Sequence, residues 1–209
     1  RADGLGGGVQ DWDGQFDDAR LALAMARTAA REGALLANYV QAEHLLHVDG
    51  KVAGLRCRDT ETGRTLELHA RCVVNATGVW VDALRQQDGA ARPGAATVRP
   101  MVAPSQGVHL VVDRDFLDGE AALMVPKTVD GRVLFAVPWL GKVVLGTTDT
   151  PREDLALEPR PFAEEVGFIL GEAARYLARA PRREDVRSVW VGLRPLVKPP
   201  DDEGENTKA

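Results

Sequence analysis

The chain has 209 residues, 44% hydrophobic and 27% charged, a profile that supports one large folded domain or two small ones. Its 26 basic and 31 acidic side chains leave a net charge of -5, which gives no footing for a nucleic-acid interface or a polybasic membrane patch. No apolar run approaches the ~20 residues that a membrane span needs.

The sequence carries neither a signal peptide nor an initiating Met. Arg1 opens in mid-pattern and Asn206-Thr207-Lys208-Ala209 brings no closing element, so an internal piece of a longer polypeptide is expected. Cys57 and Cys72 sit apart in strand-like runs, with no CxxC pair and no ligand spacing. Buried free thiols of a reducing compartment are expected, and no metal site.

Residues 4–10 are glycine-rich and then β-prone, either a strand or a lead-in. Asp17 or Asp18 is positioned to cap a helix running to about Arg31, with Leu21, Met25 and Thr28 at helical spacing and Gly33 as its αL stop. Residues 34–40 read as a short strand. Residues 44–48, 52–57 and 65–70 read as three more, with Asp49-Gly50 as a hairpin turn and Glu61-Thr62-Gly63 as a weaker one. Residues 72–78 begin as an apolar, β-branched run suited to a strand buried on both faces. Residues 81–86 form a short helix, and the Gly/Pro/Ala segment 88–96 marks a domain boundary. Beyond it, residues 107–113, 121–125, 132–137 and 142–146 predict an antiparallel sheet, with Asp130-Gly131 and Leu140-Gly141 at turns. Residues 162–177 are amphipathic at helical period, 186–193 are one more strand, and the tail from Lys198 is a polar loop.

Three constellations bear on chemistry. Val73-Val74-Asn75-Ala76-Thr77-Gly78 ends a β-prone run in small residues, which suits close approach of a ligand to the backbone. It suits a tight strand-to-helix turn without a ligand equally well. In Ser105-Gln106-Gly107-Val108-His109-Leu110-Val111-Val112, strand alternation puts Val108, Leu110 and Val112 on one face and Gly107, His109 and Val111 on the other. His109 is then either a structural histidine or a proton acceptor. In Trp190-Val191-Gly192-Leu193-Arg194-Pro195, Pro195 holds Arg194 extended and Gly192 clears space on its face. Such an arginine presents a forked donor to a phosphate or carboxylate, or else pairs with one of the chain's acids.

Other groups are weaker. His44 and His47, on opposite sides of a regular strand, make no metal pair, and His69 is expected at the surface. Asp11, Asp13, Asp17 and Asp18 lack an EF-hand loop pattern. Gly146-Thr147-Thr148-Asp149 reads as a strand end with an Asx-type turn, with too few glycines and no lysine for a phosphate cradle.

Taken in order, several stretches resemble the FAD-dependent glycerol-3-phosphate dehydrogenases of the D-amino-acid-oxidase-like flavoprotein superfamily. They are Asp13-Gly14-Gln15-Phe16-Asp17-Asp18-Ala19-Arg20-Leu21, Val73 to Gly78 with Trp80, Ser105 to Val112, and Gly192-Leu193-Arg194-Pro195, supported by Val125-Pro126-Lys127 and Leu145-Gly146-Thr147-Thr148-Asp149. The resemblance implies an α/β plus α+β protein. Residues 1–92 would be the C-terminal part of a Rossmann-like FAD-binding domain with a β-meander, and 93–209 a truncated substrate domain on an antiparallel sheet. It implies oxidation of sn-glycerol 3-phosphate to dihydroxyacetone phosphate, with electrons passing to FAD and then to quinone, or to oxygen in related oxidases. His109 corresponds to the active-site histidine and Arg194 to a substrate-binding arginine. Ala76, Thr77 and Gly78 correspond to backbone beside the FAD, and Val40 to backbone that meets the adenine.

The expected setting is cytoplasmic, with peripheral association on the inner face of the cytoplasmic membrane and a homodimer as expectations from the family. The Gly-x-Gly-x-x-Gly pyrophosphate turn would lie before Arg1. A second substrate arginine and a glycine-rich C-terminal segment would lie beyond Ala209. Gln10-Asp11-Trp12 departs from the aromatic-polar pair expected there. An amine oxidase of the same superfamily, and a module inactive by itself that retains no FAD, are the alternatives.

Overall fold

A computed structural model of the chain describes residues 6–90 and 98–198. Two compact units divide between Val74 and Asn75. The boundary expected at 92/93 falls within residues 91–97, outside the described residues. The described residues combine helices with antiparallel sheets.

In the first unit, helix α1 (Asp18–Arg31) starts where the Asp17 carboxylate accepts the Arg20 N–H at 3.0 Å, satisfying an otherwise orphaned donor. It stops at Gly33, whose φ of +94° is open to glycine. Strands β1 (Val40–Val48), β2 (Lys51–Asp59) and β3 (Thr65–His69) form a meander in sequence order. Asp49 and Gly50 both have positive φ, the turn geometry that matches strand twist. The Asp59 carboxylate closes the next turn by accepting from Glu61 N, Thr62 N and Thr62 Oγ1 at 2.9, 3.1 and 2.7 Å.

Several expectations need correction in this unit. The strand at 34–40 does not form: Val40 already pairs with Asp59, the last residue of β2, so the residues before it have no ladder to join. Register shifts between Ala42 and His44, and between Leu46 and His47, interrupt the alternation assumed for His44 and His47. Residues 72–77 are not a strand, because no described strand lies alongside to pair with them. Val74 is 82% exposed. Cys57 is buried as expected, whereas Cys72 is exposed, and both are free.

The second unit opens with a 3-10 turn, Gly78–Trp80, leading into α2 (Val81–Ala90). Asp82 ties α2 to the next strand by accepting from Met101 N at 2.9 Å and Val102 N at 3.0 Å. That strand, β4 (Val102–Asp113), organises a six-stranded sheet. β5 (Leu123–Val125), β6 (Leu134–Trp139) and β7 (Lys142–Gly146) add antiparallel to one edge of β4, and β8 (Thr150–Pro151) joins further along it. β9 (Ser188–Val197) pairs with β4 along nearly its whole length, from Val102↔Val197 to Val111↔Ser188.

Helix α3 (Ala163–Tyr176) carries Val166, Ile169 and Ala173 at helical spacing. They pack with Val108, Leu110, Val112, Val143 and Leu145 in one core. Full burial of each large aliphatic side chain contributes roughly 1.5–3 kcal/mol. At the far end of the sheet, Arg187 and Lys142 hydrogen-bond to Asp113 and hold its carboxyl down at about 2. The register leaves Ser105, Gly107, His109, Arg194 and Trp190 on the face away from that core.

Candidate functional site

β4 and β9 together present His109 and Arg194. Pairing partners in an antiparallel ladder share a face. Ser105↔Arg194, Gly107↔Gly192 and His109↔Trp190 therefore line up along one side of the sheet. On the other edge His109 pairs with Gly146. Two glycines make room for the two functional groups. A Cβ built on Gly107 would run into the Arg194 guanidinium, and one built on Gly146 would run into the His109 imidazole.

The imidazole is held between neighbours. Trp190 stacks on it with centroids 5.5 Å apart and planes at 26°. Burial first, and the positive charge of Arg194 second, push its pKa below the ordinary 6.5. His109 is therefore neutral at pH 7, with a ring nitrogen available to accept a proton.

Arg194 is fixed by the segment after β7. Its Nη1 donates to the Thr148 carbonyl at 3.1 Å and its Nη2 to Thr147 Oγ1 at 2.9 Å. Asp149 Oδ1 lies 3.7 Å from Nη1, and the buried Ser105 hydroxyl donates to the same carboxylate oxygen. These hydrogen bonds use two of the five N–H donors of a guanidinium, so the group is held and still able to bind.

The Ala76-Thr77-Gly78 turn belongs to the same unit and is locked internally. Thr77 Oγ1 donates to Asn75 Oδ1 at 2.8 Å, and Asn75 Nδ2 donates to the Val81 carbonyl at 2.9 Å. The 3-10 turn that follows packs on β9 and β4. Gly78 has φ +58°, and nothing lies within 4 Å of where its Cβ would be. Val40 is the first residue of β1, in the other unit.

The sequence reads Thr147, Thr148 and Asp149 as a strand end with an Asx-type turn, whereas in the structure they hold the arginine. Trp190, stacked on His109, and Ser105, bonded to Asp149, are two further residues of the face that their motifs alone do not single out. A run of hydroxyls and a carboxylate at a strand end was the available signal. The described residues contain no cluster of three or more metal-ligating side chains, and no described helix is long and apolar enough to cross a membrane.

A mitochondrial glycerol-3-phosphate dehydrogenase of Mus musculus is 41% identical over 206 residues, covering 95% of this chain and 27% of its own length. A probable glycerol-3-phosphate dehydrogenase of Encephalitozoon cuniculi is 38% identical, covering 94% and 31%. The chain thus spans about a third or less of these relatives. The crystal structure of a glycerol-3-phosphate dehydrogenase from Bacillus halodurans complexed with FAD superposes with a TM-score of 0.75 at 36% identity, covering 87% of this chain and 36% of that one. The family model described as FAD dependent oxidoreductase matches residues 1–205, and the chain belongs to that family.

Proposed function

We propose that this chain supplies the substrate-side catalytic groups of a flavoprotein that oxidises sn-glycerol 3-phosphate to dihydroxyacetone phosphate. The observation that supports this most is the meeting of a neutral, half-buried imidazole and a fixed guanidinium on one face of the sheet. In this reading His109 is the general base that takes the substrate hydroxyl proton. Arg194 binds the same end of the substrate and stabilises negative charge as it develops on oxygen. FAD, when bound, accepts the two electrons that leave with the carbon-bound hydrogen.

The residues present fit part of an FAD site. Gly78, in a backbone conformation favourable to glycine and open on its Cβ side, leaves the Ala76-Thr77-Gly78 backbone accessible to a flat nucleotide cofactor. The backbone of Val40 would meet the adenine. Residues 1–92 would then form part of a Rossmann-like cofactor domain and 93–209 the substrate domain. The glycine-rich pyrophosphate turn is not among the 209 residues, so the 209-residue chain by itself is expected to be colourless. Quinone as acceptor, peripheral attachment to the inner face of the cytoplasmic membrane and a homodimer complete the reading.

The test uses the full-length protein that carries these residues. Anaerobic addition of sn-glycerol 3-phosphate should bleach the flavin absorbance, and a quinone analogue should restore it. Bleaching by an amine or amino acid, with none by glycerol 3-phosphate, would move the chemistry to the amine oxidases of the superfamily.

A further inference from the structure

Glu165 lies in the first turn of α3, is 5% exposed, and has no place in the mechanism above. Its two oxygens collect four hydrogen bonds. Oε2 accepts from the Phe162 N–H at 2.8 Å and from Gln106 Nε2 at 2.7 Å. Oε1 accepts from Thr148 Oγ1 at 3.1 Å and Thr150 Oγ1 at 2.7 Å. The Phe162 contact is an ordinary helix cap. The two threonine contacts are of another kind, because they anchor the segment that follows β7.

Thr148 stands between the buried carboxylate and the arginine. Its side-chain oxygen donates to Glu165 and accepts the Val108 N–H at 3.0 Å, so the residue is pinned from both sides. Its carbonyl accepts from Arg194 Nη1, and the preceding Thr147 hydroxyl accepts from Nη2. Gln106, also on Glu165, lies on β4 between Ser105 and Gly107, the residues alongside the Arg194 side chain. The chain of contacts therefore runs from Glu165, through Thr148, to the guanidinium.

We infer that Glu165 is a positioning residue: a buried carboxylate beneath the sheet that sets the 147–150 segment and, through it, the placement of the Arg194 guanidinium. This rests on the reading of Arg194 as a substrate-binding group. A guanidinium displaced by a fraction of an ångström loses alignment with its ligand while the fold stays intact, and such misplacement is costly in rate.

The experiment uses the full-length flavoprotein with sn-glycerol 3-phosphate. Glu165→Gln is nearly isosteric, and Thr148→Val removes the hydroxyl link while leaving the carbonyl. Each should lower kcat/KM about ten-fold, with native flavin absorbance and a melting temperature that supports folding. Thr148→Ser, which restores the hydroxyl, should stay within about two-fold of wild type. In an Arg194→Ala background, Glu165→Gln should cost nothing further, because its effect runs through the missing guanidinium. A crystal structure of the Glu165→Gln protein should show the guanidinium moved off Thr147 Oγ1. If Glu165→Gln costs the same factor with and without Arg194, the carboxylate acts on the fold alone and the inference falls while Arg194 keeps its role. If Arg194→Ala itself leaves kcat/KM unchanged, the substrate reading of Arg194 falls and the positioning role with it.

Discussion

The guanidinium of Arg194 fills the space that a side chain at Gly107 would need, across the β4–β9 ladder. Gly107 has no positive φ, so its glycine identity answers to this contact and not to backbone conformation. Gly107→Ala should therefore fold and should displace Arg194. A loss in kcat/KM on the order of a hundred-fold is expected for misplacing a binding group, measured on the full-length flavoprotein with glycerol 3-phosphate. Native kinetics would mean that the guanidinium relocates without consequence.

Gly146 and Gly192 give a paired comparison on the same face. A Cβ on Gly146 strikes the His109 imidazole, whereas a Cβ on Gly192 meets nothing within 4 Å. Gly146→Ala should lower kcat by forcing the ring from its place against Trp190. Gly192→Ala should leave thermal stability unchanged or raise it slightly, since glycine inside a strand costs roughly 0.5–1 kcal/mol relative to alanine. An unchanged kcat in Gly146→Ala, or an equal fall in both variants, would show that the space around the imidazole is not special.

Much of this site was legible in the sequence, for reasons that can be stated residue by residue. Val108, Leu110 and Val112 alternate with Gly107, His109 and Val111, and a period of two puts the first set in the core and the histidine on the other face. Arg194 followed by Pro195 reads as extended, and β9 carries it so. The failures have a common cause. Residues 72–77 carry strand-like composition, yet a strand exists only where a neighbour offers hydrogen bonds, and composition does not report neighbours. Residues 34–39 fail for the same reason. Thr147, Thr148 and Asp149 were set aside because their partners, Arg194 and Glu165, lie far along the chain and meet them only through the fold.

Ile169 tests the packing beneath the site. It is fully buried between α3 and the sheet, among Leu110, Leu145 and their neighbours. Ile169→Ala should cost about 2–5 kcal/mol, the transfer term plus the cavity it leaves. Denaturant melts of the full-length protein should show a lower midpoint with an unchanged slope. A cost below about 1 kcal/mol would mean that the helix does not pack on the sheet as described.

The pH dependence follows from the sign of the shift at His109. Burial and the charge of Arg194 lower its folded-state pKa below 6.5, so folding disfavours the protonated ring. The unfolded chain therefore binds more protons in the window between the folded value and 6.5. This contribution to stability is fully present above pH ~6.5 and is lost as pH falls toward the folded value, with a slope of at most ~1.4 kcal/mol per pH unit. Relative to a His109→Gln variant, the native protein should lose stability on acidification through that window and not above it. The same proton governs the general base, so kcat/KM, which reports the free enzyme, should fall on the acid side with an apparent pKa below 6.5. The substrate phosphate also titrates near pH 6, so the acid limb that belongs to the imidazole is the one missing from the residual kcat/KM profile of the His109→Gln variant. An acid limb above pH 6.5, or stability curves of the two proteins that run parallel, would remove the neutral imidazole from the proposed mechanism.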